Sequence, residues 1–224
     1  MSRPFEFSID EWYHCFSRGV EKRTTFEDKT DYDRFLSLIY LANSDMAITL
    51  FNQRGAHSLS DALDMQRGSP LVEVSAYCLM PNHYHLIVKE IIEGGISKFM
   101  QKLGTGYTMY FNTRYERTGN LFVGPFRARH INNDDYLQRA IEYVHFNPAE
   151  LIEPGWKKGQ VRNVKKLKEE LTAYPYSSLK DYQKRSLPTR RLIGSDIFEI
   201  YRTVPIGTML RNAREYYAEI GEQY

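Results

Sequence analysis

The segment that most limits what this chain can fold into is LVEVSAYCLMPNHYHLIVKE, from Leu71 to Glu90. Two strand-like runs flank Pro81-Asn82, and proline followed by asparagine is turn chemistry, so the segment reads as an antiparallel hairpin. Side chains at i and i+2 of a strand share a face. His83 and His85 therefore project together, about 7 Å apart along the strand, toward an open side. Tyr84, Leu86 and Val88 face the other way, into an apolar layer. Two converging imidazoles can share one divalent ion. A His-x-His pair also arises without any ligand, and two histidines do not complete a divalent metal's coordination. Either the pair is incidental, or further ligands come from elsewhere in the chain.

The flanking elements say which architecture the hairpin joins. YHCFSRG, Tyr13 to Gly19, reads as a strand ending in a turn. From Asp31 to Asn43 the residues Phe35, Leu38, Ile39 and Ala42 recur at helical spacing, with Thr30 as a candidate N-cap. AITLFNQRG reads as a further short strand, and HSLSDALDMQRGSP as a polar connection. After the hairpin, Ile96 to Arg114 reads as a long helix in which Gly104 and Gly106 weaken the middle or admit a close neighbour. FRARHI is a basic strand. Asn133 to Asn147 is a helix capped by Asn133, with Asp134 and Asp135 favouring its first turn and Pro148 expected to end it. The order strand, helix, hairpin, helix, strand, helix predicts an α+β, ferredoxin-like sandwich with a central antiparallel sheet. Residues 1–155 form this unit. From 156 to 224 the chain becomes charged and aromatic and reads as a mainly helical extension, packing on the core or touching a partner.

A chain of 224 residues with 42% hydrophobic and 26% charged content can bury a sizeable core. The net charge of +2 does not by itself announce nucleic acid, but its distribution does more. Between Lys102 and His130 stand Lys102, Arg114, Arg117, Arg127 and Arg129 against Glu116 alone, interleaved with Tyr107, Tyr110, Phe111, Tyr115, Phe122 and Phe126. A second basic stretch runs from Lys157 to Lys168. Basic strips with aromatic residues suit a groove for single-stranded nucleic acid, although a solvated helix face looks the same. Cys15 and Cys78 lie apart in apolar segments, form no metal-type cluster and read as reduced thiols of a cytoplasmic protein. No run is apolar enough to span a membrane.

The late helix offers what the histidines lack. Tyr143 and Asn147 stand four apart, on one helical face. Asn147 carries a side-chain oxygen and Tyr143 a phenol. A phenol with pKa near 10 is a sluggish nucleophile unless its anion is stabilised. A divalent ion that also polarises a phosphoryl oxygen lowers the barrier for attack at phosphorus. At this point MPNHYHLIV resembles the HUH motif of single-tyrosine transposases, and most closely the REP-associated tyrosine transposases and their insertion-sequence relatives. YHCFSRG, DYDRFLSLI, RTGNLFVGPFRARHI and IEYVHFNP match in order, over roughly residues 8 to 155.

The resemblance implies that His83 and His85 are metal ligands, that Asn147 completes the site, and that Tyr143 is the nucleophile. It implies Mg²⁺ or Mn²⁺, attack on single-stranded DNA with hairpin-forming repeats, and a 5′-phosphotyrosine with release of a 3′-hydroxyl. It leaves open a monomer or a homodimer exchanging the tyrosine helix. Asn120 and Pro125 depart from the pattern, where histidine and a basic residue are common, which touches DNA gripping and not the metal or nucleophile. Tyr136, two turns before Tyr143, is a reserve nucleophile. Arg127 and Arg129, alternating on one strand, are candidates for phosphate binding. Two other readings share these residues: a domesticated nucleic-acid-binding protein without transposition activity, and a metal phosphodiesterase using activated water.

Overall fold

The computed structural model describes residues 6–46, 58–184 and 186–221. Its elements in the first part of the chain are β1 (Trp12–Arg18), α1 (Lys29–Ala42), α2 (Leu59–Asp64), β2 (Val72–Met80), β3 (His83–Glu90), α3 (Gly95–Arg114), β4 (Arg127–Ile131) and α4 (Asp134–Phe146). The strands lie in the order β2-β3-β1-β4 with every neighbouring pair antiparallel. That order, with α1 and α3 as the crossovers, is the split βαβ arrangement of a ferredoxin-like sandwich, as the element order predicts. α1 and α3 cover one face of the sheet. Phe35 of α1 meets Tyr84 of β3 at 4.8 Å between ring centroids and Tyr107 of α3 at 4.9 Å.

Local chemistry sets where these elements begin and end. The carboxylate of Glu90, buried at the end of β3, accepts from the N–H groups of Gly94 and Ile96 at 2.8 Å each. It thereby satisfies donors that the start of α3 leaves open. A Cβ on Gly95 would lie 2.2 Å from the Leu71 carbonyl oxygen, so that position requires glycine, and Gly94 at φ 71 takes a conformation that favours it. The joint fixes the hairpin against α3. Within α3, a Cβ on Gly106 would press on Leu38 of α1 at 3.3 Å, whereas Gly104 faces open space; the close neighbour is at Gly106 alone.

Three local expectations are corrected. The N-cap of α1 is Asp28, whose side chain accepts from the N–H groups of Thr30 and Asp31, so Thr30 lies inside the helix. Asp outranks Thr at this position, and starting the helix earlier also places Asp28 beside Arg114. The stretch from Ser58 is not simply a connection: Ser58 and Asp61 form a reciprocal capping box that starts α2. α4 ends just before Pro148, as expected, but Pro148 does not force Asn147 out of helical geometry. Asn147 has φ −52 and ψ −41, and the chain continues through Pro148 into α5 (Ala149–Ile152), because proline is tolerated in a first helical turn. The short strand expected in AITLFNQRG falls on residues 47–55, outside the described residues.

The rest of the chain adds α6 (Val164–Ala173), α7 (Leu179–Gln183), α8 (Ile197–Ile200) and α9 (Ile206–Ile220). Residues 176–178 run beside β2, with Leu79 N–H donating to the Tyr176 carbonyl at 2.9 Å and Ser178 N–H to the Tyr77 carbonyl at 3.0 Å. The outer edge of the sheet is thus paired in part rather than exposed. α9 lays Met209, Ala213, Tyr216 and Ile220 into the core and packs along α4, where Arg139 bonds Glu219 at 2.8 Å. Among the described residues no helix is long and apolar enough to cross a membrane.

Candidate active site

The sheet face opposite α1 and α3 carries the histidines. Directly paired residues of an antiparallel ladder point to one side. The register pairs His85 with Phe16, His83 with Arg18, Arg127 with Phe16 and Arg129 with His14. His14, His83, His85, Arg18, Arg127 and Arg129 therefore share this face, and α4 lies across it.

α4 brings the tyrosine and the asparagine onto the imidazoles. The ring of Tyr143 stands 5.5 Å from that of His85, edge to face. The Asn147 amide donates to the Tyr143 carbonyl at 2.9 Å, and its side chain also hydrogen-bonds to both imidazoles. Strand pair and helix pair, sixty residues apart in sequence, thus form one cluster.

Both imidazoles are held neutral. Burial pushes the pKa of His83 down to about 4 and that of His85 well below the usual value, so both are neutral at pH 7. His83 Nδ1 lies 2.7 Å from the Asn82 side-chain oxygen, which can only accept, so Nδ1 carries the proton and Nε2 the lone pair. His85 Nδ1 lies 2.8 Å from His14 Nε2, and His14 Nδ1 lies 3.0 Å from the Tyr216 hydroxyl. The proton of either ring can fill the His85–His14 bond, so the same distances fit a chain running from His85 through His14 to Tyr216 or the reverse. The donor set is two imidazole nitrogens and a carboxamide oxygen. Among the described residues no three His, Cys, Asp or Glu side chains converge as a metal cage. An ion bound here would fill its remaining positions from water and phosphate oxygens.

His14 and Tyr216 were not singled out from sequence. His14 lies in the quoted YHCFSRG, and its parity with Phe16 and Arg18 is the one signal that places it beside the hairpin histidines. Its pKa falls to about 3, through burial first and the charge of Arg129 second. Partners that fix the far nitrogen of a ligand histidine tune metal affinity by about 10- to 100-fold. His14→Phe keeps an aromatic ring in place and deletes the hydrogen-bond partner. Mn²⁺ affinity, followed by the paramagnetic resonance of free Mn²⁺, is expected to fall within that range with little change in melting temperature. An unaltered affinity would remove His14 from the site.

One expectation about the surroundings is corrected in part: the histidine face is covered at His85 and His14, while His83 at its end stays half-buried. Tyr143, His85 and His14 are fully buried. The Tyr143 ring lies 5.2 Å from Tyr216 and 6.3 Å from Tyr217, both on α9, and 6.4 Å from Trp156. Lys157 bonds Glu150 at 2.8 Å and rests its ammonium 4.7 Å from the centre of the Tyr217 ring. Tyr136 stands farther back along α4, with its ring 5.0 Å from Tyr216 and Arg139 and Arg129 over it at 5.5 and 6.0 Å.

The basic residues divide. Lys102 donates to the carbonyls of Ser44 and Met46, beyond the end of α1. Arg114 forks Asp28 and Asp31, joining α3 to the start of α1. Arg117 donates to Asn112 and lies 5.7 Å from the Phe111 ring centre. These three hold the fold together away from the histidine face, whereas Arg127 and Arg129 flank it.

The family model described as "Transposase IS200 like" matches residues 12–147, which include β1, the hairpin and α4. The chain belongs to the IS200-like transposase family. A solved structure of a REP-associated tyrosine transposase bound to a REP hairpin is similar at 14% identity, covering 92% of this chain and 98% of that one, with a TM-score of 0.47. No curated protein matched the chain. The family match spans every element that carries His14, His83, His85, Tyr143 and Asn147, and leaves α6 to α9 outside it.

Proposed function

We propose that the protein is a metal-dependent single-stranded DNA endonuclease and strand transferase that cleaves and rejoins DNA at hairpin-forming repeats through a 5′-phosphotyrosine on Tyr143. The observation that carries this reading is the meeting of His83, His85, Asn147 and Tyr143 on one sheet face. Two neutral imidazoles and an adjacent carboxamide suit Mg²⁺ or Mn²⁺, held by His83, His85 and Asn147. Bound there, the ion would polarise the scissile phosphoryl group. The Tyr143 oxygen forms a bond to phosphorus and loses its proton. The bond from phosphorus to the 3′-oxygen breaks, and the leaving oxygen takes up a proton as a 3′-hydroxyl. One phosphodiester replaces another, so the hydroxyl of the same or another strand reverses the step without an external energy source.

Arg127 and Arg129 would bind backbone phosphates on the way to the site. Because Tyr143 is covered by α9, DNA reaches the phenol only when α9 moves off α4. Tyr143 packs on His85 of its own chain, which supports a reading in which α4 acts in cis.

The test uses a single-stranded hairpin oligonucleotide labelled at one end or the other, incubated with the full chain and Mn²⁺ and run under denaturing conditions. An adduct is expected that retains the label only on the strand 3′ to the nick. Label on the 5′ side would reverse the polarity, and nicking with no adduct would favour activated water. Binding without nicking under any divalent ion would leave a DNA-binding protein that has lost its chemistry.

A further inference from the structure

Beside the histidines, the end of β1 and the turn after it enclose a second concavity, of about 210 Å³. Its walls include Phe16, Arg18, Lys22, Val123 and Arg127, with Glu21 the one carboxylate among the described lining residues. Arg18 stands opposite His83 in the sheet, and Arg127 opposite Phe16, so both arginines belong to the histidine face. The Phe16 ring lies 5.9 Å from that of His85. Val123 is more than half exposed at the rim.

The turn that forms the lip is strained. Glu21 and Lys22 succeed each other at φ 56 and φ 60, a left-handed conformation uncommon outside glycine, asparagine and aspartate. Conformations of this kind persist where the surroundings over-determine them, and they gather at ligand clamps. The surroundings here do so. Gly19 N–H donates to the Asn82 carbonyl and Val20 N–H to the Leu121 carbonyl, each at 2.9 Å. The Asn82 side-chain amide donates to the Lys22 carbonyl at 3.1 Å, and the same side chain accepts from His83 Nδ1. One asparagine thus ties the strained lip to a proposed metal ligand.

We propose that this concavity is a subsite for the nucleotide adjoining the scissile phosphate in single-stranded DNA. Arg18, Lys22 and Arg127 take its phosphodiester, and Phe16 and Val123 take its sugar and base. The proposal rests on the single-stranded DNA reading above. At about 210 Å³ the space is smaller than the roughly 300–1,000 Å³ of a typical small-molecule pocket. It suits one unit of a chain whose remainder runs outside. A base can lie against Phe16 only when it is unstacked, which selects single strands over duplex.

Fluorescence anisotropy across a salt series tests it, with full-length wild type, Lys22→Gln and Arg127→Gln. The DNAs are a hairpin with a single-stranded flank and the same stem without one. Both side chains are exposed, and thermal melts confirm that the variants fold. Each variant is expected to lower the slope of log K against log salt by about 0.7 on flanked DNA, with the stem unaffected. A neutral methylphosphonate at the phosphate next to the nick should weaken wild type at least as much as either variant does, and should weaken each variant less than wild type. Unaltered slopes in both variants, with wild type still forming its DNA adduct, overturn the subsite and leave the nuclease standing. Equal losses on the bare stem also overturn the subsite, by placing these cations on duplex. A wild-type protein with no affinity for single strands overturns both.

Discussion

Tyr143→Phe is expected to abolish the covalent DNA adduct while leaving folding and DNA binding nearly intact. The substitution removes one oxygen and keeps the ring that packs between the histidines and α9. Stability should therefore change by no more than about 1 kcal/mol. Removing a nucleophile outright costs on the order of 10⁴- to 10⁶-fold in rate where it has been measured in other enzymes. A denaturing gel reads the adduct, anisotropy reads binding, and a melt reads the fold. The contrast among the three makes the result informative. A general weakening would point to packing, and loss of the adduct alone points to the phenol. Adduct from the phenylalanine variant at the wild-type rate would move the nucleophile to another side chain, with Tyr136 next in line. The position of Tyr136 argues against that, since its ring lies by Tyr216, Arg139 and Arg129, whereas that of Tyr143 meets the His85 ring directly.

The parts of this site that were legible in sequence are those governed by short-range periodicity. Strand alternation puts His83 and His85 on one face, a turn dipeptide makes the hairpin, and a four-residue spacing stacks Asn147 on Tyr143. None of these depends on what lies across the fold. The parts that were not legible all depend on distant partners. Lys102 and Arg114 are basic residues on a helix in sequence, and only the approach of α1 assigns them to the Ser44 carbonyl and to Asp28 and Asp31. α9 shows a plain amphipathic stripe, which predicts burial but does not say on which surface. That surface is α4, so the part of the histidine face around His14 and His85, expected to be open, is covered. His14 was hidden for the same reason. Its role comes from β1 lying between β3 and β4 and from Tyr216, about two hundred residues later.

Acid should unfold this protein well before its carboxylates are neutralised. His14 and His145 have pKa values lowered to about 3, His83 to about 4, and that of His85 is also well below the usual value, with burial the largest cause in each case. In the unfolded chain each returns to about 6.5. Below pH 6.5 the unfolded state binds more protons than the folded state, so it gains as pH falls. The stabilisation is complete above about pH 6.5 and is lost progressively down to the folded pKa values, between 4 and 3. Each group contributes a slope of about 1.4 kcal/mol per pH unit in that window. Two such groups would remove about 3 kcal/mol per unit from a total of about 5–15 kcal/mol. Urea unfolding at pH 7.5, 6.5, 5.5 and 4.5 should therefore show a plateau followed by a steep fall, and a flat profile to pH 4.5 would contradict the burial of these rings. His145 separates this effect from the metal site. It bonds the Ser178 hydroxyl at 2.8 Å and packs on Tyr182, away from His83. His145→Gln should flatten the acid slope by one group and leave Mn²⁺ affinity unchanged. Protonation of His83 and His85 removes the lone pairs an ion needs, so any stabilisation by Mn²⁺ at pH 7.5 should disappear over the same acid range in wild type and in His145→Gln alike.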